Sequence, residues 1–87
     1  MKLLFCRHCQ DIFSLKAIWK SCCCGKSEGI YTDPSNAIYK GDCVPIGFVN
    51  NSFVEAVKNQ PQKGMGEDFV AFVIPQECHT MTKIEQN

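Results

Sequence analysis

The sequence predicts a small α+β domain that is rich in β-strands, with an antiparallel sheet and one short helix. Three observations lead to this class. The 87 residues are enough for one domain. Short alternating or apolar runs, separated by turn residues, predict several strands, and one segment after Asn50 has helical spacing. We expect a cysteine-bearing knuckle at 1–28, the sheet and helix at 29–84, and a frayed tail at 85–87.

The first half of the chain is expected to be all β. Many of its residues are β-branched or aromatic, which favours strands. A turn at 33–36, Asp-Pro-Ser-Asn, should join two of the strands into a hairpin. The strands predicted here are Lys2–Cys6, a pair at 11–16 and 17–20, and the hairpin strands 29–32 and Ala37–Lys40.

A strand and the helix should follow. The segment 43–49 is extended, but Pro45 cannot donate to a ladder and predicts an edge or bulged strand. The helix should begin at 50–52, with Ser52 and Glu55 as a capping box. It should end near Asn59, because Pro61 cannot continue it.

The C-terminal part of the chain holds the most apolar run. Residues 68–74, Asp-Phe-Val-Ala-Phe-Val-Ile, are almost continuously apolar, so we expect a central and buried strand. Truncating Phe72 in such a strand should cost about 3–5 kcal/mol. A last strand is expected at 80–84.

Cysteines are unusually frequent, and five of the seven fall within residues 6–24. The N-terminus has no apolar stretch typical of a secretory signal, so we expect a cytoplasmic protein in which clustered cysteines bind metal. The hydrophobic core of a chain this short provides little stability, so a bound metal is needed to stabilise the fold. The seven are Cys6, Cys9, Cys22, Cys23, Cys24, Cys43 and Cys78.

The spacing selects four ligands for one tetrahedral ion. Cys6 and Cys9 form a C-x2-C pair that can turn tightly. Cys22 and Cys24 lie two residues apart and project to one side of an extended chain, which leaves Cys23 outside. Gly25 can adopt positive φ, so that backbone amides approach a sulfur.

Residues 3–27 resemble a zinc ribbon, in which short strands join two cysteine knuckles. The resemblance implies Zn²⁺ as the cofactor. The second knuckle is C-x-C where the family has C-x2-C, so Cys23 or His8 remains an alternative ligand. The segment Cys-x-Cys-Gly-Lys-Ser is also similar to segments in short uncharacterised bacterial and phage proteins.

Alternatives to structural zinc are a redox or disulfide pair and an iron–sulfur cluster, which cysteines also ligate. A thioredoxin-like pair needs a βαβ context, and no helix is predicted after Cys9. Four cysteines would close the coordination shell, whereas catalytic zinc keeps a position open. We therefore expect a metal that holds the fold and no enzymatic activity. Cys78 and His79, with Cys43, are a weaker candidate for a second metal site or a nucleophile pair.

A ligand or partner site is predicted where the hairpin meets the helix entry. Free amides at a helix N-terminus can hold an anion, and the 62–66 loop adds a flexible polar segment. A nucleotide or another phosphate-bearing small molecule would suit this site. The residues concerned are Lys26, Tyr31, Tyr39, Lys40, Asn50, Asn51, Ser52 and Lys63.

Charge is divided unevenly along the chain. Residues 1–26 carry five basic residues and one acid, and residues 27–87 carry four lysines and eight acids. A basic knuckle with Trp19 nearby is compatible with nucleic-acid binding, although bound thiolates also need cations. The function we expect is a small non-enzymatic module that binds a macromolecule, most simply a protein. Inhibition of a host enzyme or defence complex by a phage-type protein would fit, and no membrane association is expected.

Overall fold

The computed structural model describes residues 2–84 and confirms a β-rich α+β fold with one short helix. The tail predicted to fray, 85–87, lies outside the described residues. The elements are β1 Lys2–Cys6, β2 Ile12–Ser14, β3 Lys20–Ser21, β4 Glu28–Tyr31, β5 Ala37–Lys40, β6 Cys43–Phe48, α1 Asn50–Lys58, β7 Ala71–Val73 and β8 Met81–Lys83.

The strands form two four-stranded sheets. The first has the order β2-β1-β6-β7 and is antiparallel throughout. The second has the order β3-β4-β5-β8, and β8 runs parallel to β5. The predicted hairpin is β4–β5, in which Ile30 lies opposite Ile38. The last predicted strand is β8, although its parallel pairing was not expected.

The strand pair expected at 11–16 and 17–20 is not formed. β2 pairs with β1 in the first sheet, and β3 pairs with β4 in the second. Residues 15–19 therefore carry the chain from one sheet to the other, which prevents β2 and β3 from closing a hairpin. Leu15 in this crossing is buried, while Ile18 and Trp19 are largely exposed.

One core joins the two sheets. Leu4 of β1 and Met81 of β8 are fully buried, and Gly29 of β4 allows the sheets to approach. A Cβ atom at Gly29 would lie 2.9 Å from side-chain atoms of Leu4 and Leu15. The buried core residues are Leu4, Leu15, Ala37, Tyr39, Cys43, Ile74 and Met81.

The prediction that Pro45 marks an edge or bulged strand is wrong, since β6 lies between β1 and β7. Pro45 is opposite Leu4 of β1, and its carbonyl accepts the Ile74 N–H across the β7 side at 2.9 Å. In an antiparallel strand the N–H and C=O of one residue point to the same side. The N–H that Pro45 lacks would face the Ile74 carbonyl, so the reciprocal bond of this pair is absent at the point where β7 ends.

The prediction of a central, buried strand at 68–74 is also wrong. Only Ala71–Val73 forms a strand, and β7 is an edge strand whose three residues are exposed. Ile74 alone in this run is buried. Phe72 lies over Gly47 of β6, where an added Cβ would come within 2.7 Å of its ring. The run is apolar, but within residues 2–84 no strand lies beyond β7.

Helix α1 occupies the predicted segment, but the capping box does not form. The N-cap is Val49, which makes no side-chain cap bond. The Ser52 hydroxyl donates to the Val49 carbonyl at 2.8 Å and accepts the Val70 N–H at 2.9 Å, so it fixes the helix to the segment before β7. Within residues 2–84 no helix is long and apolar enough to cross a membrane.

The helix is held through aromatic rings. Phe53 packs against Phe48 of β6 and Phe69, with centroid distances of 5.5 and 5.1 Å. The Phe53–Phe69 contact is edge-to-face, an arrangement that stabilises beyond simple burial. Of the predicted apolar face, Ala56 is buried, but Val54 and Val57 remain half-exposed.

Candidate metal centre

The first cysteine knuckle begins where β1 ends. Cys6 is the last residue of β1 and is fully buried. The chain turns back at once, because the Gln10 N–H donates to the Cys6 carbonyl at 2.8 Å and the Cys6 N–H donates to the Asp11 carbonyl at 2.9 Å. Gln10 has φ 61°, which is uncommon for a residue with a side chain. This turn places the Cys9 side chain beside that of Cys6.

The second knuckle lies between β3 and β4 and has a similar construction. The Cys22 N–H donates to the Ser27 carbonyl at 3.0 Å, and the Gly25 N–H donates to the Cys22 carbonyl at 3.1 Å. Gly25 has φ 77°. Each knuckle thus has a residue with left-handed backbone directly after the last of its converging cysteines. These residues are Gln10 after Cys9 and Gly25 after Cys24.

Three contacts hold the knuckles against each other and against the β5–β6 turn. The Cys23 N–H donates to the Asp11 carboxylate at 3.0 Å. The Arg7 N–H donates to the Asp42 carbonyl at 3.1 Å, and the two side chains form an ion pair, also at 3.1 Å. A Cβ atom at Gly41 would lie 2.2 Å from the Lys26 carbonyl oxygen, so the turn touches the second knuckle.

The four sulfur atoms selected by the spacing meet at one point. Those of Cys6, Cys9, Cys22 and Cys24 all lie within 4.8 Å of one another. The Cys22–Cys24 and Cys6–Cys24 distances are 3.4 and 3.7 Å. Ligands about 2.3 Å from a tetrahedral ion are about 3.8 Å apart, so the four can hold a metal ion. The geometry is consistent with a zinc-knuckle-like segment.

The two alternative ligands lie outside this cluster. Cys23 is exposed, and a hydrogen bond with Cys9 is the largest cause that raises its pKa. Its sulfur is not among the four that converge. His8 is exposed and is not among the residues whose ligand atoms converge.

Ser27 places a buried hydroxyl beside the cysteine cluster. Its hydroxyl is fully buried and, within residues 2–84, is the one buried side-chain N or O atom without a hydrogen-bond partner of regular geometry. It lies near the Cys6 sulfur, and it is the largest cause that lowers the pKa of Cys6 to about 6, followed by the Cys9 amide. A thiolate at Cys6 would satisfy this hydroxyl as an acceptor.

Cys24 shows the opposite shift. The Lys26 amide donates to its sulfur and lowers its pKa, but desolvation and the neighbouring cysteines outweigh this and raise the pKa to about 12. Four thiolates so close together repel one another, so a bound cation is needed to ionise all of them. The donor set therefore fits a divalent ion that prefers sulfur.

The remaining cysteines form no comparable cluster among residues 2–84. Cys43 is buried in the core, where burial raises its pKa and its thiol donates to the Lys40 and Gly41 carbonyls. The Cys78 sulfur contacts the Thr80 hydroxyl at 3.5 Å, the main cause that lowers its pKa. Neither sulfur is hydrogen-bonded to His79 among the described residues.

The residues predicted for a ligand pocket lie in several places. Tyr39 is buried in the core. Lys40 pairs with Glu28 at 2.8 Å and lies over the Trp19 ring. Tyr31 accepts the Lys2 N–H and lines a cleft with residues 32–34, whereas Lys63 lines a different cleft. The two clefts share no residue, so they do not form the pocket expected between hairpin and helix.

The other predicted contacts are at the knuckle and the helix entry. Lys26 is exposed, and its role here is the amide that donates to Cys24. Ser52 is engaged with Val49 and Val70. Asn50 and Asn51 are exposed at the first turn of α1.

Sequence reasoning identified the 62–66 loop but not the cleft that it lines. We call this the helix–loop cleft; it has a volume of about 490 Å³ and is bounded by one face of α1, the loop 60–67 and the Phe69 ring. Val57 and Met65 project into or beside it, and Met65 is 90% exposed. The signal available in the sequence was the apolar Met65 within the otherwise polar loop 62–66.

The chain matches no protein-family model, no curated protein and no solved structure. The resemblance to short bacterial and phage proteins therefore has no support from these comparisons. The candidate metal centre rests on its own geometry.

Proposed function

We propose that the chain is a zinc-stabilised, non-enzymatic module that binds another protein, with Zn²⁺ held by Cys6, Cys9, Cys22 and Cys24. The observation that carries the proposal is the convergence of four sulfur atoms from two knuckles. Cys6 ends a strand of the first sheet, and Cys22 follows a strand of the second. A metal bound here would join the two sheets.

A structural role is favoured over a catalytic one by the donor set. Four cysteine ligands complete a tetrahedral shell and leave no position for a reacting water. Cys6 and Cys22 are buried, so a substrate would not reach them easily. Zinc is favoured over an iron–sulfur cluster because the four sulfur atoms surround a space for a single ion. In a domain of this size, the free energy of metal binding contributes directly to folding.

Chelation tests the structural role. Treating the purified protein with excess EDTA should abolish cooperative melting, and returning Zn²⁺ should restore it. Circular dichroism during a thermal ramp measures both steps. A chain that melts cooperatively at the same temperature without metal would contradict a structural centre.

The helix–loop cleft supports protein binding. Apolar surface grouped beside a polar loop is typical of interaction sites, and the cleft offers Phe53, Val57 and Met65 to apolar side chains of a partner. The cleft lies outside the cysteine knuckles. Partner binding and metal binding should therefore be separable.

A matched pair of variants tests this surface. Val57→Asp and Ile18→Asp each place a carboxylate on an exposed apolar residue, at 58% and 69% exposure. Captures from a lysate with these variants, compared by mass spectrometry, should lose the partner only for Val57→Asp. Equal capture by both variants, with unchanged melting temperatures, would place the partner elsewhere.

Nucleic-acid binding is a second candidate because of three lysines in the basic N-terminal part of the chain. Lys16, Lys20 and Lys26 form no ion pair with other residues in the 2–84 range, and Trp19 is 43% exposed. Exposed aromatic rings beside cations suit single strands. Fluorescence anisotropy with a labelled oligonucleotide should then show steeply salt-dependent binding that weakens in Lys16→Ala and Lys20→Ala. Salt-independent or absent binding would exclude this candidate.

A further inference from the structure

The outer edge of β7 has no paired strand within residues 2–84. β7 is the last strand of its sheet. Natural edge strands are usually protected by charges, prolines or a covering element. Residues 69–74 contain no charged residue and no proline, and Val73 is 67% exposed.

The ladder identifies the groups on this edge. The Val49 N–H donates to the Val70 carbonyl, and the Ile74 N–H donates to the Pro45 carbonyl. Residues 70 and 74 therefore point their polar groups inward, toward β6. Because the direction alternates along an antiparallel strand, Phe72 also points inward, whereas Ala71 and Val73 point their N–H and C=O groups outward.

The outward N–H and C=O groups of Ala71 and Val73 can pair with the same groups of a second copy of the chain. If a second copy of the strand runs antiparallel with its two-fold axis at Phe72, Ala71 lies opposite Val73 of the other copy, and Val73 lies opposite its Ala71. Each such pair exchanges two hydrogen bonds, so all four outward groups of each strand are satisfied. Pro75 would lie opposite Phe69 of the other copy and has no N–H, so the pairing ends there.

Side chains and charge favour the same partner. At the axis the two Phe72 side chains occupy a non-hydrogen-bonded position, where facing side chains lie closest. Phe72 is 48% exposed and has ring surface left for this contact. Residues 69–75 carry no charged side chain, so no like charges face each other across the two paired strands.

We propose that two copies of this chain associate through their β7 edges, antiparallel about Phe72, to form one continuous eight-stranded sheet. This interface goes beyond the proposed function, since it involves neither the cysteine knuckles nor the α1 face of the helix–loop cleft. The partner it fits is a second copy of the same chain.

The first experiment measures mass against concentration. Sedimentation equilibrium of the zinc-loaded full chain, up to on the order of 1 mM, should show a reversible shift from 9.8 kDa toward twice that mass. A chain that stays monomeric throughout this range overturns the proposal and leaves the edge for a peptide of another protein.

The second experiment tests the register. The double variant Ala71→Lys, Val73→Lys sets like charges opposite each other in the dimer while changing only exposed side chains. Its dissociation constant should rise roughly tenfold or more. The control Ile18→Lys, at a residue that is 69% exposed and distant from β7 in the sheet order, should leave association unchanged.

A charge swap completes the test. The double variant Ala71→Glu, Val73→Glu should also be monomeric alone, and an equimolar mixture with the lysine variant should restore a dimer that contains one copy of each. All variants should melt within a few degrees of the original chain. Dimers that survive both double variants, or a mixture that stays monomeric, overturn the β7 pairing.

Discussion

Gly41 is the residue at which the β5–β6 turn packs against the second knuckle. It has φ 103°, and a Cβ there would lie 2.2 Å from the Lys26 carbonyl oxygen. Gly41→Ala combines left-handed strain with overpacking and should cost about 2–5 kcal/mol. It should also weaken metal binding, because the turn and the second knuckle must separate. Thermal melting and a competitive zinc indicator measure the two effects.

Gly64 provides the control for conformational strain alone. It has φ 93°, but a Cβ there meets nothing within 4 Å. Gly64→Ala should cost only about 1–2 kcal/mol and leave zinc affinity unchanged. If the two alanine variants behave alike, close packing of the turn on the knuckle is not what Gly41 provides.

The Ser27 hydroxyl should set how readily acid releases the metal. In the cluster without metal the pKa of Cys6 is lowered from 9.0 to about 6, mainly by Ser27, so protons compete less well with a metal ion for this sulfur. The stability that the Cys6 thiolate contributes to the metal-free fold is fully present above pH 9.0 and is lost as the pH falls through about 6. Ser27→Ala should therefore release zinc at higher pH than the original chain.

A zinc indicator followed during acid titration measures the midpoint of release. Ser21→Ala is the matched control, since Ser21 is an exposed serine on β3. A Ser27→Ala midpoint that is unchanged, or that moves to lower pH, would contradict the hydrogen bond to the thiolate.

At the scale of residues, spacing predicted which cysteine sulfurs converge and why Gly25 follows Cys24. Both inferences depend on local geometry. Gln10, Ser27 and Gly41 could not be found in this way. Gln10 has positive φ without being the glycine that usually indicates it. The roles of Ser27 and Gly41 depend on contacts between segments distant in sequence.

At the scale of elements, the edge position of β7 predicts that truncating Phe72 costs less stability than truncating the nearby Ile74. Phe72 is 48% exposed, whereas Ile74 is 7% exposed and belongs to the core. Phe72→Ala should cost no more than about 1–2 kcal/mol, half or less of the loss for a buried ring. Ile74→Ala should cost about 2–5 kcal/mol.

Urea unfolding of both variants measures this difference. The order of the two costs is the decisive result. If Phe72→Ala is the more destabilising variant in the monomer, the Phe72 side chain is more buried than its place on an edge strand implies, and the assignment of β7 as an exposed edge is contradicted. Both measurements should be made at concentrations where the chain is monomeric.

Elements with strong local signals were predicted well. β1 and the β4–β5 hairpin follow from β-branched residues and the 33–36 turn, which act within a few residues. Apolar content at 68–74 indicated a strand but could not show whether it is central or at an edge, because that depends on strand order. The capping box failed because Ser52 bonds to Val70, 18 positions along the chain.

At the scale of the whole molecule, the fold class was predicted, but the division into two sheets was not. The parallel pairing of β8 with β5 joins segments about 44 residues apart, as with Ala37 and Met81, and no local pattern encodes it. The crossing at 15–19 moves the chain between the sheets. The crossing lies at the Lys2 end of β1, whereas the four cysteine sulfurs lie at its Cys6 end, where one ion can hold both sheets together.

The most direct measurement of this account is the zinc content of two cysteine variants. Elemental analysis of the original chain and of Cys23→Ser should give one zinc per chain, with similar cooperative melting, because Cys23 lies outside the cluster. Cys9→Ser should lose both the zinc and the cooperative melting. A full zinc content in folded Cys9→Ser, or a metal-free original chain that folds, would contradict the four-cysteine centre.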